Sequence, residues 1–95
     1  MESINDTLSQ RGKQYGNFAM QSAIAAVLKR AMRAGPGWAR LKPEQQEALD
    51  HIQVKISRIL NGNPNYSDSW HDIAGYATLV EQLLSRPKLP EPDVE

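Results

Sequence analysis

The sequence contains no cysteine, so a disulfide framework and any thiolate metal site are excluded. No apolar run is long enough to span a bilayer, and no basic-then-apolar leader opens the chain. A cytoplasmic protein is expected. A Gly-rich phosphate loop and a His-Glu-x-x-His zinc motif are absent too, and two histidines alone make no strong zinc site. Aromatic residues are only 6% of the chain, and none is interleaved with the cations of residues 29–33, which argues against sequence-specific reading of a nucleic acid. The most uneven shortage is of acids. From Thr7 to Pro43 there is none, against seven bases (Arg11, Lys13, Lys29, Arg30, Arg33, Arg40, Lys42). From Glu44 to Glu95 there are nine acids and four bases, so the formal net charge of zero hides a basic half and an acidic half. Such asymmetry fits a polyanionic partner or head-to-tail self-association, and equally a solvated basic face balanced in space by an acidic one.

What is present is helical. Ninety-five residues make one domain, and a chain this short buries only about 60–65% of its unfolded surface. A first short helix is expected over residues 4–11, ended by Gly12, with a second break at Tyr15-Gly16-Asn17. Asn17 caps a helix over residues 18–33 whose inner stripe is Gln21, Ile24, Ala25, Leu28 and Met32. Gly35, Pro36 and Gly37 end it. Pro43 opens a third helix to about Leu60, with Glu44 and Glu47 near its positive end and Leu49, Ile52, Ile56, Ile59 and Leu60 inward. Asn61-Gly62 ends it, Gly62 in the left-handed C′ position, and Ser67 caps a fourth helix with a core stripe of Trp70, Ile73, Ala74, Ala77, Val80 and Leu84. Leu79 and Leu83 carry the apolar surface further round this helix, which implies self-association. The expected fold is therefore all-α: a compact bundle of about four short helices over residues 1–86, assembled as a homo-oligomer. A proline-rich extended tail over residues 87–95 follows.

Candidate chemistry lies in two places. On the fourth helix Asp68, Asp72 and Tyr76 are four apart and share a face, and a comparable flank on the third carries Glu44, Glu47, His51, Lys55 and Arg58. If these helices pack antiparallel, the flanks meet. Two carboxylates one turn apart suit a magnesium ion, and they suit equally an ion pair of Asp72 with Lys55 or Arg58. Lys55 borders an apolar stripe, so its stem is expected to be partly buried. The segment Arg11-Gly12-Lys13-Gln14-Tyr15-Gly16 is the second candidate. Two cations, two glycines and a ring can grip a phosphate and stack on a base, or simply make an interhelical turn. Trp38 and Trp70 are expected to anchor the core or an interface, and His71 to face solvent.

Arg11-Gly-x-x-Tyr-Gly-x-Phe18, Lys55-Ile-x-Arg-Ile-Leu-Asn-Gly62 and Asp68-Ser-Trp-His-Asp-Ile-Ala-Gly-Tyr-Ala77 resemble a family of small phage- and prophage-encoded proteins of unknown function. The resemblance implies a viral accessory protein working in the host cytoplasm. More distantly, the third and fourth helices resemble the MazG-like all-α nucleoside triphosphate pyrophosphohydrolases, in which acidic helices hold magnesium at the substrate phosphates. Asp72-Ile-Ala-Gly-Tyr-Ala77 looks like the second of those helices, but Lys55 and Arg58 stand where the first would present acids.

Those cations grip phosphate without a metal. The leading expectation is thus a phage protein that binds a nucleotide-like or phosphorylated small molecule through Arg11, Lys13, Tyr15, Lys55, Arg58, Asp68, Asp72 and Tyr76, needs no cofactor, and sequesters a host signalling nucleotide. A magnesium-dependent pyrophosphohydrolase is the first alternative. The second is a protein- or nucleic-acid-interaction module acting through Lys29, Arg30 and Arg33.

Overall fold

A computed structural model describes residues 3–85. Four helices follow in order, α1 (Ile4–Tyr15), α2 (Phe18–Ala34), α3 (Pro43–Asn61) and α4 (Ser67–Ser85), with a 3-10 turn at Trp38–Arg40 between α2 and α3. There is no strand among the described residues. The expected tail over 87–95 lies outside them, as does Arg86.

The helix starts have local causes. The Ser3 hydroxyl accepts from the Asp6 amide at 3.1 Å, and the Asn17 side chain accepts from Met20 at 3.0 Å. Both satisfy amides that a helix leaves unpaired at its first turn. Pro43 begins α3 at the position where its missing amide costs nothing, and Gln45 Oε1 accepts from the Lys42 amide at 2.9 Å. Three expectations fail here. α1 runs through Gly12 to Tyr15, because an isolated glycine weakens a helix by only about 1 kcal/mol and does not end it. Ser67 lies inside α4, whose first turn is closed by the Ser69 amide on the Tyr66 carbonyl. Gly62 does not take left-handed angles (φ −132°, ψ −134°); its reason for being glycine is close contact, described below.

α3 is the central element. It packs against α2 on one side and α4 on the other, while α2 and α4 make no comparable contact with each other. The side of α3 that faces α2 is polar. Gln46, Asp50, Gln53, Ser57 and Asn61, spaced by three or four, form one row. Gln46 Nε2 donates to the Trp38 carbonyl at 3.0 Å, Asp50 pairs with Arg33 at 2.9 Å, and Gln21 Nε2 donates to the Ser57 hydroxyl at 3.4 Å. Arg33 also lies over the Trp38 ring, 4.7 Å from its centroid.

The expected apolar core is largely uncovered. Ala48 is the buried apolar residue among the described ones, at 7% exposure, whereas Gln21, Gln53, Ser57 and Ser69 are buried and polar. Leu49, Ile56 and Leu60 on α3, and Trp70 and Leu84 on α4, were expected inside and are exposed. Their spacing does place them on one side of each helix. What is missing among the described residues is a neighbour on that side, since α2 and α4 each pack on α3 without a comparable contact with each other.

Candidate functional site

The site begins where two similar strings, Tyr15-Gly16-Asn17 and Asn61-Gly62-Asn63, lie against each other. Asn61 Nδ2 donates to the carbonyls of Tyr15 (2.8 Å) and Asn17 (2.9 Å), and the Asn63 amide donates to the Gln14 carbonyl at 2.7 Å. Asn63 Nδ2 adds a bond to Gln14 Oε1 at 3.1 Å. Gly16 has a φ of 77°, the left-handed region. Gly62 has ordinary φ, but a β-carbon there would sit against the Gln14 carbonyl oxygen and 2.5 Å from the Tyr15 Cα. This joint fixes the end of α1 on the end of α3, and so fixes the Tyr15 ring.

Around that ring the cations gather. The guanidinium carbon of Arg58 lies 4.3 Å from the ring centroid and that of Arg11 lies 5.5 Å from it. Cations over an aromatic face are attracted by its quadrupole, worth about 0.5–1 kcal/mol each at exposed sites. Among the described residues neither arginine has a carboxylate partner, and Arg58 Nε is buried without a hydrogen-bond acceptor. Tyr66 meets the Tyr15 ring edge-on, 6.0 Å between centroids at 68°. Its hydroxyl is hydrogen-bonded to the Asp68 carboxylate, and that bond, together with the negative charge behind it, holds the phenol above the ordinary tyrosine value.

Two cavities open beside this platform. One, of about 240 Å³, is lined by Gln10, Arg11, Lys13, Gln14, Tyr15 and Tyr66. The other, of about 410 Å³, is lined by Leu8, Gly12, Phe18 and their neighbours, and shares Arg11 and Tyr15 with the first. The first is polar in its lining residues and the second mostly apolar.

Further along the same flank, Lys55 Nζ meets Asp72 Oδ2 at 3.0 Å, with the lysine side chain only 17% exposed. The ion pair and the buried stem agree with the sequence reading, and the flanks of α3 and α4 do meet. Tyr76 shares a cavity of about 320 Å³ with His71 and Asp72. It stacks on His51 (4.7 Å between centroids, 5° between planes), and His51 Nε2 lies 3.1 Å from Glu47. That pair lines a separate cavity of about 500 Å³ with Glu44, Leu79 and Leu83.

The expected site residues thus fall into three neighbouring groups. Arg11, Lys13, Tyr15 and Arg58 converge, with Asp68 joined to them through Tyr66. Lys55 and Asp72 neutralise each other one turn away. Tyr76 lines one cavity with Asp72 and another with His51 and Glu47. Among the described residues no three histidine, aspartate or glutamate side chains come together as a metal would need. His71 is exposed, as expected. Sequence reasoning missed Tyr66 and Gln14, and also the pairing of His51 with Tyr76. A weak signal for Tyr66 existed in its place two residues before Asp68; the contact between Tyr15 and Arg58, far apart in the chain, has no local signature.

A family model described as a domain of unknown function, DUF6378, matches residues 1–84. The chain belongs to the DUF6378 family. No curated protein and no solved structure matches it. Every residue of the Tyr15 platform, and all four helices but for the last residue of α4, fall inside the DUF6378 match. Among the described residues no helix is long and apolar enough to cross a membrane.

Proposed function

We propose that this DUF6378 chain is a binding protein for a nucleotide-like or otherwise phosphorylated small molecule. One observation carries the proposal: two guanidiniums, Arg11 and Arg58, lie against one phenol ring, and among the described residues no carboxylate pairs with either. Arg11 and Lys13 line the polar cavity and Arg58 lies on the ring beside it, so three cations stand near the single charge of Asp68, which holds the Tyr66 hydroxyl. Planar guanidiniums hold phosphate oxygens in pairs, and an adjoining apolar cavity suits a flat base.

A magnesium-dependent pyrophosphohydrolase is less well supported. Asp72 is tied to Lys55 and Asp68 to Tyr66, so both carboxylates on which that reading chiefly rests are already engaged. The interaction module through the basic face of α2 loses one of its cations, since Arg33 is bound to Asp50 and Trp38. The resemblance to phage- and prophage-encoded proteins supplies a purpose for the binder, removal of a signalling nucleotide from the host cytoplasm. The uncovered apolar residues of α3 and α4 support assembly as a homo-oligomer.

Thermal-shift measurements without metal, across nucleoside mono-, di- and triphosphates and cyclic dinucleotides, test the binder. A ligand present at 100 times its Kd raises stability by about 2.7 kcal/mol. Absence of stabilisation by every member of the panel would sink the proposal. Release of pyrophosphate from a nucleoside triphosphate only when magnesium is added would hand the site to the enzyme alternative.

A further inference from the structure

The apolar residues left uncovered are not scattered. On α3, Leu49, Ile56 and Leu60 follow one another at helical spacing and are 39%, 37% and 66% exposed. α4 borders them: a hollow of about 300 Å³ runs between Leu49 and Ile52 on α3 and Ala77 and Val80 on α4. Trp70 and Leu84 extend the same edge of α4 at helical spacing from Ala77, and both are more than half exposed. α2 supplies the opposite wall. Arg33 reaches Asp50 on one flank of the α2–α3 contact, so the other flank of α2, which carries Met20, Ile24, Val27 and Ala31, borders the α3 stripe. Met20 and Val27 are exposed there.

The result is a shallow apolar trough that runs along α3, hollowed where α4 meets it and edged by α2 on the other side. None of the residues named in it is ionisable. The opposite flank of the α3–α4 pair differs. Leu79 and Leu83 are exposed there as well, but Glu44, Glu47 and His51 line the same cavity. Two copies meeting through that flank by a two-fold axis would bring like charges together, whereas along the trough only Glu81, at helical spacing between Ala77 and Leu84, adds a charge.

We propose that the trough is the interface between two copies of this chain, the α3 stripe of each facing that of the other. This deepens the homo-oligomer reading above and rests on it. Three observations favour a second copy as occupant. The chain buries Ala48 and otherwise almost no apolar side chain among its described residues, which is the state of a domain core cut in half. The exposed apolar trough residues present on the order of 700 Å² together, close to the roughly 800 Å² per partner of a standard interface. Apart from Glu81 on the α4 edge, the trough residues offer no charge by which a foreign partner would be selected.

The absence of cysteine makes the test clean. Single variants Leu49→Cys, Ile56→Cys and Leu84→Cys in the trough, and Leu79→Cys and Leu83→Cys on the other flank, are treated with a short bismaleimide at micromolar protein. Helix content is checked by circular dichroism, and the unmodified protein is sedimented in parallel. The expected result is a dimer by sedimentation, with most of the trough variants, but not the flank variants, converted to covalent dimer. A sedimenting oligomer that crosslinks only through Leu79 and Leu83, or equally through both faces, overturns this interface and leaves the homo-oligomer reading standing. A monomer at all concentrations overturns both. Nucleotide binding by Arg11 and Arg58 is measured separately and depends on neither outcome.

Discussion

Replacing Gly62 by alanine is the most informative single perturbation of the joint that holds Tyr15 in place. The new methyl group would stand 2.5 Å from the Tyr15 Cα, where carbon atoms ordinarily approach to about 3.5 Å. Both neighbours are backbone, so no flexible side chain can turn aside. The end of α1 must retreat by about 1 Å, and with it go three hydrogen bonds: Asn63 amide to Gln14 carbonyl, and Asn61 Nδ2 to the carbonyls of Tyr15 and Asn17. At about 1 kcal/mol each the loss is roughly 3 kcal/mol, a large share of the 5–15 kcal/mol by which small domains are stable. Two glycines give the opposite expectation. Gly12 and Gly75 lie inside α1 and α4 with nothing within 4 Å of a β-carbon, so alanine at either should stabilise by about 0.5–1 kcal/mol. Urea denaturation followed by far-ultraviolet circular dichroism, at one fixed protein concentration, measures all three. A Gly62→Ala protein within about 0.5 kcal/mol of the parent would refute the close contact, and with it the placement of the Tyr15 ring.

Three further outcomes are expected. Gln53 is 2% exposed and both atoms of its amide lack a hydrogen-bond partner, so Gln53→Met, similar in shape, should stabilise by about 1–3 kcal/mol in the same denaturation assay. A loss of stability would mean that the amide is satisfied after all. Asp68→Asn removes the carboxylate that raises the Tyr66 phenol, and an ultraviolet titration near 295 nm should show that phenol moving back down toward about 10. Because the folded value is raised, the contribution of this bond to stability is complete below the unfolded phenol value and is lost as pH rises through the folded one. Lys55→Met should be milder than Asp72→Leu, which strands a mostly buried ammonium group and should cost about 1–3 kcal/mol more by the same urea measurement.

Much of the fold was legible because helix boundaries have local chemistry. Asn17 and Pro43 mark starts through groups that lie within one turn, and Gly35-Pro36-Gly37 cannot continue a helix. Gly12 misled because glycine in a helix is a modest cost, not a barrier. The apolar stripes of α3 and α4 were expected to face inward, and Leu49, Ile56, Leu60, Trp70 and Leu84 are exposed instead, because periodicity reports only that a face is apolar. Whether another helix covers it depends on where α2 and α4 go. Gln53 and Ser57 show the converse: polar residues buried against α2 break no local rule that a sequence would display. At the site, Lys55 with Asp72 was readable from two helix flanks across a tight turn. The Arg58–Tyr15 contact joins α3 to α1 through a joint that no spacing encodes, and it is what makes Arg11 and Arg58 one site.

The most direct test of phosphate recognition at that site is isothermal titration calorimetry in the presence of a chelator, using ATP, GTP and a cyclic dinucleotide as probes. The parent protein is compared with Arg11→Gln, Arg58→Gln and the double variant. Each guanidinium bond to phosphate is worth about 1.5–3 kcal/mol, so each single change should weaken binding about 10- to 100-fold with circular dichroism unchanged. Binding that survives undiminished in the double variant, or a parent protein that binds none of the three, would contradict the assignment of the Tyr15 platform.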